Sequence, residues 1–202
     1  GDKEILVALQ AEPKSPGSAT SAILYWINDK GRVQRSRAFM LGMVNEISSI
    51  KPTSDGRYIM AGSIETANGN SAGWLVNIDN DGSIRWQPPY SRGRSSEFKQ
   101  LKLFAKERYA AVIGDALPGG LDGGRRSGWI MVAALSDGEP AWQRYYREDA
   151  NVTGMGINTQ EDGQINVLMG VEKNDDSAVY DYVRLVTLNP RGVILSSRSY
   201  QN

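Results

Sequence analysis

The side chains in this chain that could do chemistry are carboxylates in expected loops: Asp115, Asp122, Asp149, Asp175 and Asp176. A pair of such groups can hydrolyse a glycosidic bond, one as acid and one as base or nucleophile, provided the fold holds them some 5–9.5 Å apart. Nothing in their spacing along the chain sets that separation. A second candidate is Asn77–Gly82 (NIDNDG), which puts oxygen ligands at the first, third and fifth places of a loop and glycine at the sixth, as a Ca²⁺ loop does. The twelfth place, where a bidentate Glu belongs, is Pro88, so the segment reads better as a hairpin turn. A third is Gly119–Arg126 (GGLDGGRR), glycines followed by two arginines. A phosphate cradle leads from a strand into a helix N-terminus, and no helical pattern follows here.

Composition narrows the chemistry further. The 202 residues include no Cys and no His. That removes disulfides, thiol nucleophiles, Ser-His-Asp machinery and most transition-metal sites. Twenty-three basic residues balance twenty-three acidic ones. A zero net charge argues against nucleic acid, whose binders draw affinity from a basic excess. No apolar run approaches the length of a membrane helix, and the first residues show no signal-peptide pattern. No cofactor or metal is expected.

The apolar pattern has a period of two. In Gly73–Ile78, Trp74, Val76 and Ile78 share one face and Leu75 and Asn77 the other. The chain also repeats. Ala22–Phe39, Gly73–Tyr90, Gly128–Tyr146 and Asp181–Tyr200 each read as strand, glycine turn, strand, with turn glycines Gly31, Gly82, Gly138 and Gly192. Between them, Glu46–Ile64 and Val152–Val171 share strand, Asp-Gly turn, strand. Phe98–Ala116 keeps that pattern with Glu107-Arg108 in place of Asp-Gly. Asp-Gly between alternating apolar residues is a strong hairpin signal. Each unit is therefore four strands, a to d. The first unit lacks strand a, because Ile5–Leu9 matches strand b.

Gly73-Trp74-Leu75-Val76, Asp81-Gly82, Trp86 and Tyr90, with Thr53-Ser54-Asp55-Gly56, Tyr58-Ile59 and Ala61-Gly62, resemble the tandem blades of bacterial β-propeller repeat proteins, at a distance PQQ-like and WD40-like. The resemblance implies an all-β fold, a β-propeller of four antiparallel blades in one domain over residues 1–202. The blades fall at about 1–42, 43–93, 94–148 and 149–202, the first without its inner strand. A closed four-blade ring, a part of a larger propeller and a half-ring completed by a second chain all stay open. The resemblance also implies a periplasmic or extracellular setting. It carries no activity, because propellers host many functions.

In such a blade the a–b and c–d turns share one rim, and the b–c and d–a connections share the other. The first set is short. The second is long and polar, and loops of that kind on a rigid scaffold are where recognition concentrates. Arg92, Arg94, Arg125 and Arg126 are expected together on that rim, with Glu148, Asp149, Asp175 and Asp176 as an acidic sector one blade on. The strands expected to line the channel carry Ser48, Ser49, Lys51, Gln100, Lys102 and Asn158, which is polar but no catalytic set. The five tryptophans, Trp26, Trp74, Trp86, Trp129 and Trp142, recur at repeat positions and are expected between blades. The chain thus reads as a non-catalytic recognition or scaffold domain for a protein partner, with self-association as a further option. The alternative is a glycan-binding or carbohydrate-active propeller built on loop carboxylates and aromatics.

Overall fold

The structure is a computed structural model that describes residues 4–11, 15, 18–66, 68–91, 93–118, 124–173 and 180–201. Among these residues there are sixteen β-strands and no helix. The strands form four antiparallel sheets in chain order. The first is β1 (Ile5–Ala11), β2 (Ser21–Ile27) and β3 (Val33–Phe39). The second is β4 (Asn45–Pro52), β5 (Tyr58–Glu65), β6 (Ser71–Ile78) and β7 (Ile84–Trp86), with β8 (Pro89–Tyr90) also on β6. The third is β9 (Ser95–Phe104), β10 (Tyr109–Leu117), β11 (Ser127–Ala134) and β12 (Pro140–Tyr146). The fourth is β13 (Asn151–Thr159), β14 (Ile165–Glu172), β15 (Tyr182–Leu188) and β16 (Ile194–Tyr200).

Each sheet is a meander, so neighbours in sequence are neighbours in space. The first has three strands, with Ile5–Ala11 paired to β2 in the place of strand b. The outer strand of the second sheet is broken where Pro88 and Pro89 supply no N–H to the ladder, which only an edge strand tolerates.

The core is three apolar layers, each between two successive sheets. Leu24, Trp26 and Phe39 of the first sheet meet Met60, Trp74 and Val76 of the second. Ile59, Leu75 and Tyr90 of the second meet Phe98, Trp129 and Met131 of the third. Ile113, Ile130 and Val132 of the third meet Val152, Val167 and Val186 of the fourth. The second and third sheets are thereby covered on both faces, which explains why β6 and β11 are buried almost end to end and show little polar alternation. Among the described residues, no apolar layer joins the fourth sheet back to the first.

The tryptophans lie in these layers. Trp26, Trp74 and Trp129 are fully buried, and Phe98 packs on Trp129 with ring centroids 4.5 Å apart. Trp86 and Trp142 lie half-buried on the outer strands and reach across to the next sheet, where they donate from Nε1 to the carbonyls of Leu135 (3.1 Å) and Pro190 (2.8 Å).

Candidate functional site

The two rims differ as the repeat implies. Tight turns close one rim: Gly31, Gly56, Gly82, Gly138, Gly163 and Gly192 all hold positive φ there. On this rim Asp79 and Asp81, candidates for a Ca²⁺ loop, are spent on the hairpin. Asp79 accepts from Arg85 Nε at 2.6 Å, and Asp81 accepts from the backbone and hydroxyl of Ser83. Asn77 is buried and donates toward the Leu135 carbonyl of the next sheet. Asp55 on the same rim is held well below the usual carboxylate range, first by its bond from Arg57 and then by that from Thr53.

The opposite rim carries the long connections. Arg92, Asp175 and Asp176, expected there from the sequence, lie outside the described residues, as does Asp122. Arg94 is exposed. Its backbone N–H donates to the Leu117 carbonyl at 2.9 Å, which fixes it beside the end of β10, where the loop leading to Arg125 and Arg126 begins. Arg125 forms an ion pair with Asp149. The Arg126 guanidinium stands 3.6 Å from Asp115, while its backbone N–H donates to Asn151 Oδ1 and its carbonyl accepts from Val152. Glu148 pairs with Arg184 and accepts from the Tyr182 hydroxyl. Arg125 and Arg184 thus pair with carboxylates of the connection between the third and fourth sheets, while Arg126 faces Asp115 of its own sheet.

Beneath this rim lies Asp115, expected from the sequence among the loop carboxylates; it is instead a buried residue of β10. The Asp115 side chain is only 6% exposed. One oxygen accepts from Lys99 Nζ at 2.7 Å, and the other from the backbone N–H of Gly154, in the next sheet, at 2.7 Å. Lys99 also stands 3.3 Å from Glu97. A register shift opposite Ile113 and Gly114 leaves Lys99 as the extra residue of β9, and such bulges re-aim side chains. Gly114 permits it, because a Cβ there would collide with the Glu97 carbonyl. Burial raises the Asp115 carboxyl above its ordinary value despite the Lys99 bond. For Lys99 burial opposes the charge, yet the Asp115 and Glu97 carboxylates together hold the ammonium above its ordinary value. Sealed and fully bonded, Asp115 is placed to lock the third sheet to the fourth.

The tight-turn rim holds a cleft of about 580 Å³ between the third and fourth sheets, which no motif in the sequence announced. Its walls include Phe104, Tyr109 and Trp142, with Arg108, Glu161 and Arg191 at the lip. Ala105, also in its wall, begins the turn Ala105-Lys106-Glu107, three consecutive residues with φ of 52°, 55° and 58°, a left-handed conformation that non-glycine residues avoid. Glu107 ties this turn to the second sheet by accepting from the backbone N–H (2.8 Å) and hydroxyl (2.7 Å) of Ser54. The sequence signal was there, since Glu107-Arg108 replace the Asp-Gly of the other units, but it did not foretell a cavity.

No protein-family model matches the chain, and no curated protein matches it significantly. Solved structures do. A single-residue variant of Synechocystis ACO, an apocarotenoid oxygenase, aligns with all of the chain and 47% of its own length, at 11% identity and a TM-score of 0.52. The cobalt-substituted Synechocystis ACO aligns over 100% and 47%, at 12% identity and a TM-score of 0.51. A eukaryotic initiation factor aligns over 96% of the chain and 52% of its own length, at 12% identity and a TM-score of 0.48. The chain thus spans about half the length of these proteins. At such identities the likeness to the oxygenase is one of fold, and the chain has a propeller-like all-β fold.

Proposed function

We propose that the four sheets are successive blades of a propeller and that the chain is a non-catalytic recognition or scaffold module. It engages a protein partner through the long-loop rim. The observation that carries this reading is the contrast between the rims. One is closed by short, internally bonded turns. The other gathers long connections and exposed charge of both signs: Arg125, Arg126 and Asp149 at the boundary of the third and fourth blades, and Arg94 at that of the second and third. Paired opposite charges on a rigid rim orient a polar protein surface and speed its approach. The buried Asp115 bonds keep that boundary in register. An envelope-associated setting fits the repeat pattern that the chain resembles.

The test is capture of proteins from an envelope extract by the immobilised chain. Arg94→Glu with Arg126→Glu should abolish capture of a specific partner. Lys30→Glu with Glu139→Lys, on the tight-turn rim, should leave it intact. Capture indifferent to the first pair, or lost with the second, would remove the long-loop rim from consideration.

One observation favours a second reading, a glycan-binding or carbohydrate-active propeller: the cleft, where Tyr109 and Trp142 offer rings for stacking and Glu161 a carboxylate. Titration with oligosaccharides under tryptophan fluorescence should then show saturable quenching that Tyr109→Ala removes. A flat response rejects this reading.

A further inference from the structure

Every internal boundary between sheets repeats one detail: a tryptophan of the earlier sheet roofs the turn glycine of the later one. A Cβ built on Gly82 would stand 2.8 Å from Arg37 and 3.0 Å from Trp26, one on Gly138 2.9 Å from Trp86, and one on Gly192 2.9 Å from Trp142. Each boundary is also latched by a donor four residues past the earlier turn glycine. Trp86 and Trp142 donate to backbone carbonyls as described, and Arg35 donates to Asn80 Oδ1 at 3.1 Å.

The fourth turn glycine, Gly31, has the same left-handed backbone, φ +73°, and nothing within 4 Å of where a Cβ would stand. The face around it is apolar and open. Ile5, Leu9 and Val33 are 57%, 53% and 54% exposed. Ile5 lies opposite Ile27, and Leu9 opposite Ile23. In the next sheet the matching face, Trp74, Val76 and Ile78, is wholly buried under the sheet before it.

The far end of the array does not match this socket. In the fourth sheet the residue four past the turn glycine is Ser196, paired with Thr187, whose hydroxyl donates to Asn166 Oδ1 at 2.8 Å. That face offers no tryptophan: its rings are Tyr200, opposite Val183, and Tyr180, which lies over Gly170, and β16 is exposed throughout. Terminal repeats of a stacked array present a polar outer face, and internal ones do not.

We infer that the open face of the first sheet is the seat of a further sheet of this same repeat, one that brings a tryptophan over Gly31, and that the fourth sheet of a second copy is not its occupant. The inference rests on the reading of the sheets as successive blades. It continues an interface that the chain already builds three times.

The test extends the chain. A copy of residues 94–148 is fused through a flexible linker ahead of Glu4, once unchanged and once with Trp142→Ser in the added copy. Hydrogen exchange at Ile23, Tyr25 and Ile27 should slow markedly in the first fusion and far less in the second. Equal exchange in both fusions overturns the inference, whether β2 is protected in both or in neither. So does protection of β2 that rises with concentration in the unextended chain, which would mark a closed dimer. Trp142→Ser in the unextended chain separates the two levels of the argument, because it should speed exchange in β15. If it does not, the blade reading itself fails. Should a fusion not fold, N-acetyl-tryptophanamide is titrated into the unextended chain at millimolar concentration. It should shift the amide signals of Gly31 and Val33, and Gly31→Ala should abolish the shift. No shift at those amides overturns the inference.

Discussion

At the scale of single residues, two carboxylates act on stability with opposite signs. Burial raises Asp115 above 3.8, so between 3.8 and its raised value the folded chain holds a proton that the unfolded chain has released. That contribution is present in full below 3.8 and is lost as pH rises through the folded value. Asp55 is held below 3.8 by Arg57 and Thr53, so its contribution is present above 3.8 and lost as pH falls through its folded value. Urea unfolding across the acid range should therefore show Asp55→Asn losing less stability on acidification than the parent, and Asp115→Asn losing more. Asp55 is exposed, so the first effect is the smaller. Parallel acid limbs for all three proteins would show that neither environment persists in solution. Lys99→Met takes from buried Asp115 its closest cation and leaves it only the exposed Arg126, 3.6 Å away, a change that costs about 3 kcal/mol. A loss of a few tenths would mean that the ion pair is dispensable.

At the scale of turns and strands, the tight-turn rim contains built-in comparisons. Gly31→Ala and Gly192→Ala impose the same left-handed backbone cost, about 1 kcal/mol. Only the second also drives a methyl group into the Trp142 ring, at about 1–3 kcal/mol more. Denaturation midpoints should rank them in that order, and equal losses would mean that the ring does not sit on the glycine. Lys106→Gly relieves a left-handed residue whose side chain is exposed and should gain about 0.5–1 kcal/mol after the extra entropy of glycine. A loss would show that the turn is not strained. These elements also mark how far the sequence could be read. The hairpins were legible because Asp-Gly and alternating apolar residues are local signals, and Gly82, Gly138 and Gly192 take the turns they promised. The bulge at Lys99 was not, because it depends on which residue of β10 faces which residue of β9. Asp115 was visible only as a carboxylate of an expected loop; its partner Gly154 belongs to another sheet. The cleft arises from how two sheets are set against each other, and no periodicity encodes that.

At the scale of the whole molecule, four sheets share three apolar layers, and the order of opening follows from that count. The second and third sheets are packed on both faces and the first and fourth on one. In an array held by nearest-neighbour contacts, an end sheet leaves by breaking one layer, whereas an inner sheet must break two. The first sheet is weaker still, with three strands and an apolar face open to water. Local opening should therefore grade along the chain, and hydrogen exchange reads that gradient directly. Amides of β5, β6, β10 and β11 should exchange slowest, those of β14 and β15 faster, and those of β1 and β2 fastest. Leu9→Lys with Val33→Lys should reduce binding of a fluorescent apolar dye while leaving the slow amides unchanged, because both side chains already face solvent. A ring closed on itself behaves differently. Every sheet then has two neighbours, no sheet is an end, and the protection of β1 and β2 rises to match that of β10 and β11. Uniform protection together with weak dye binding would therefore mean that the fourth sheet meets the first in solution.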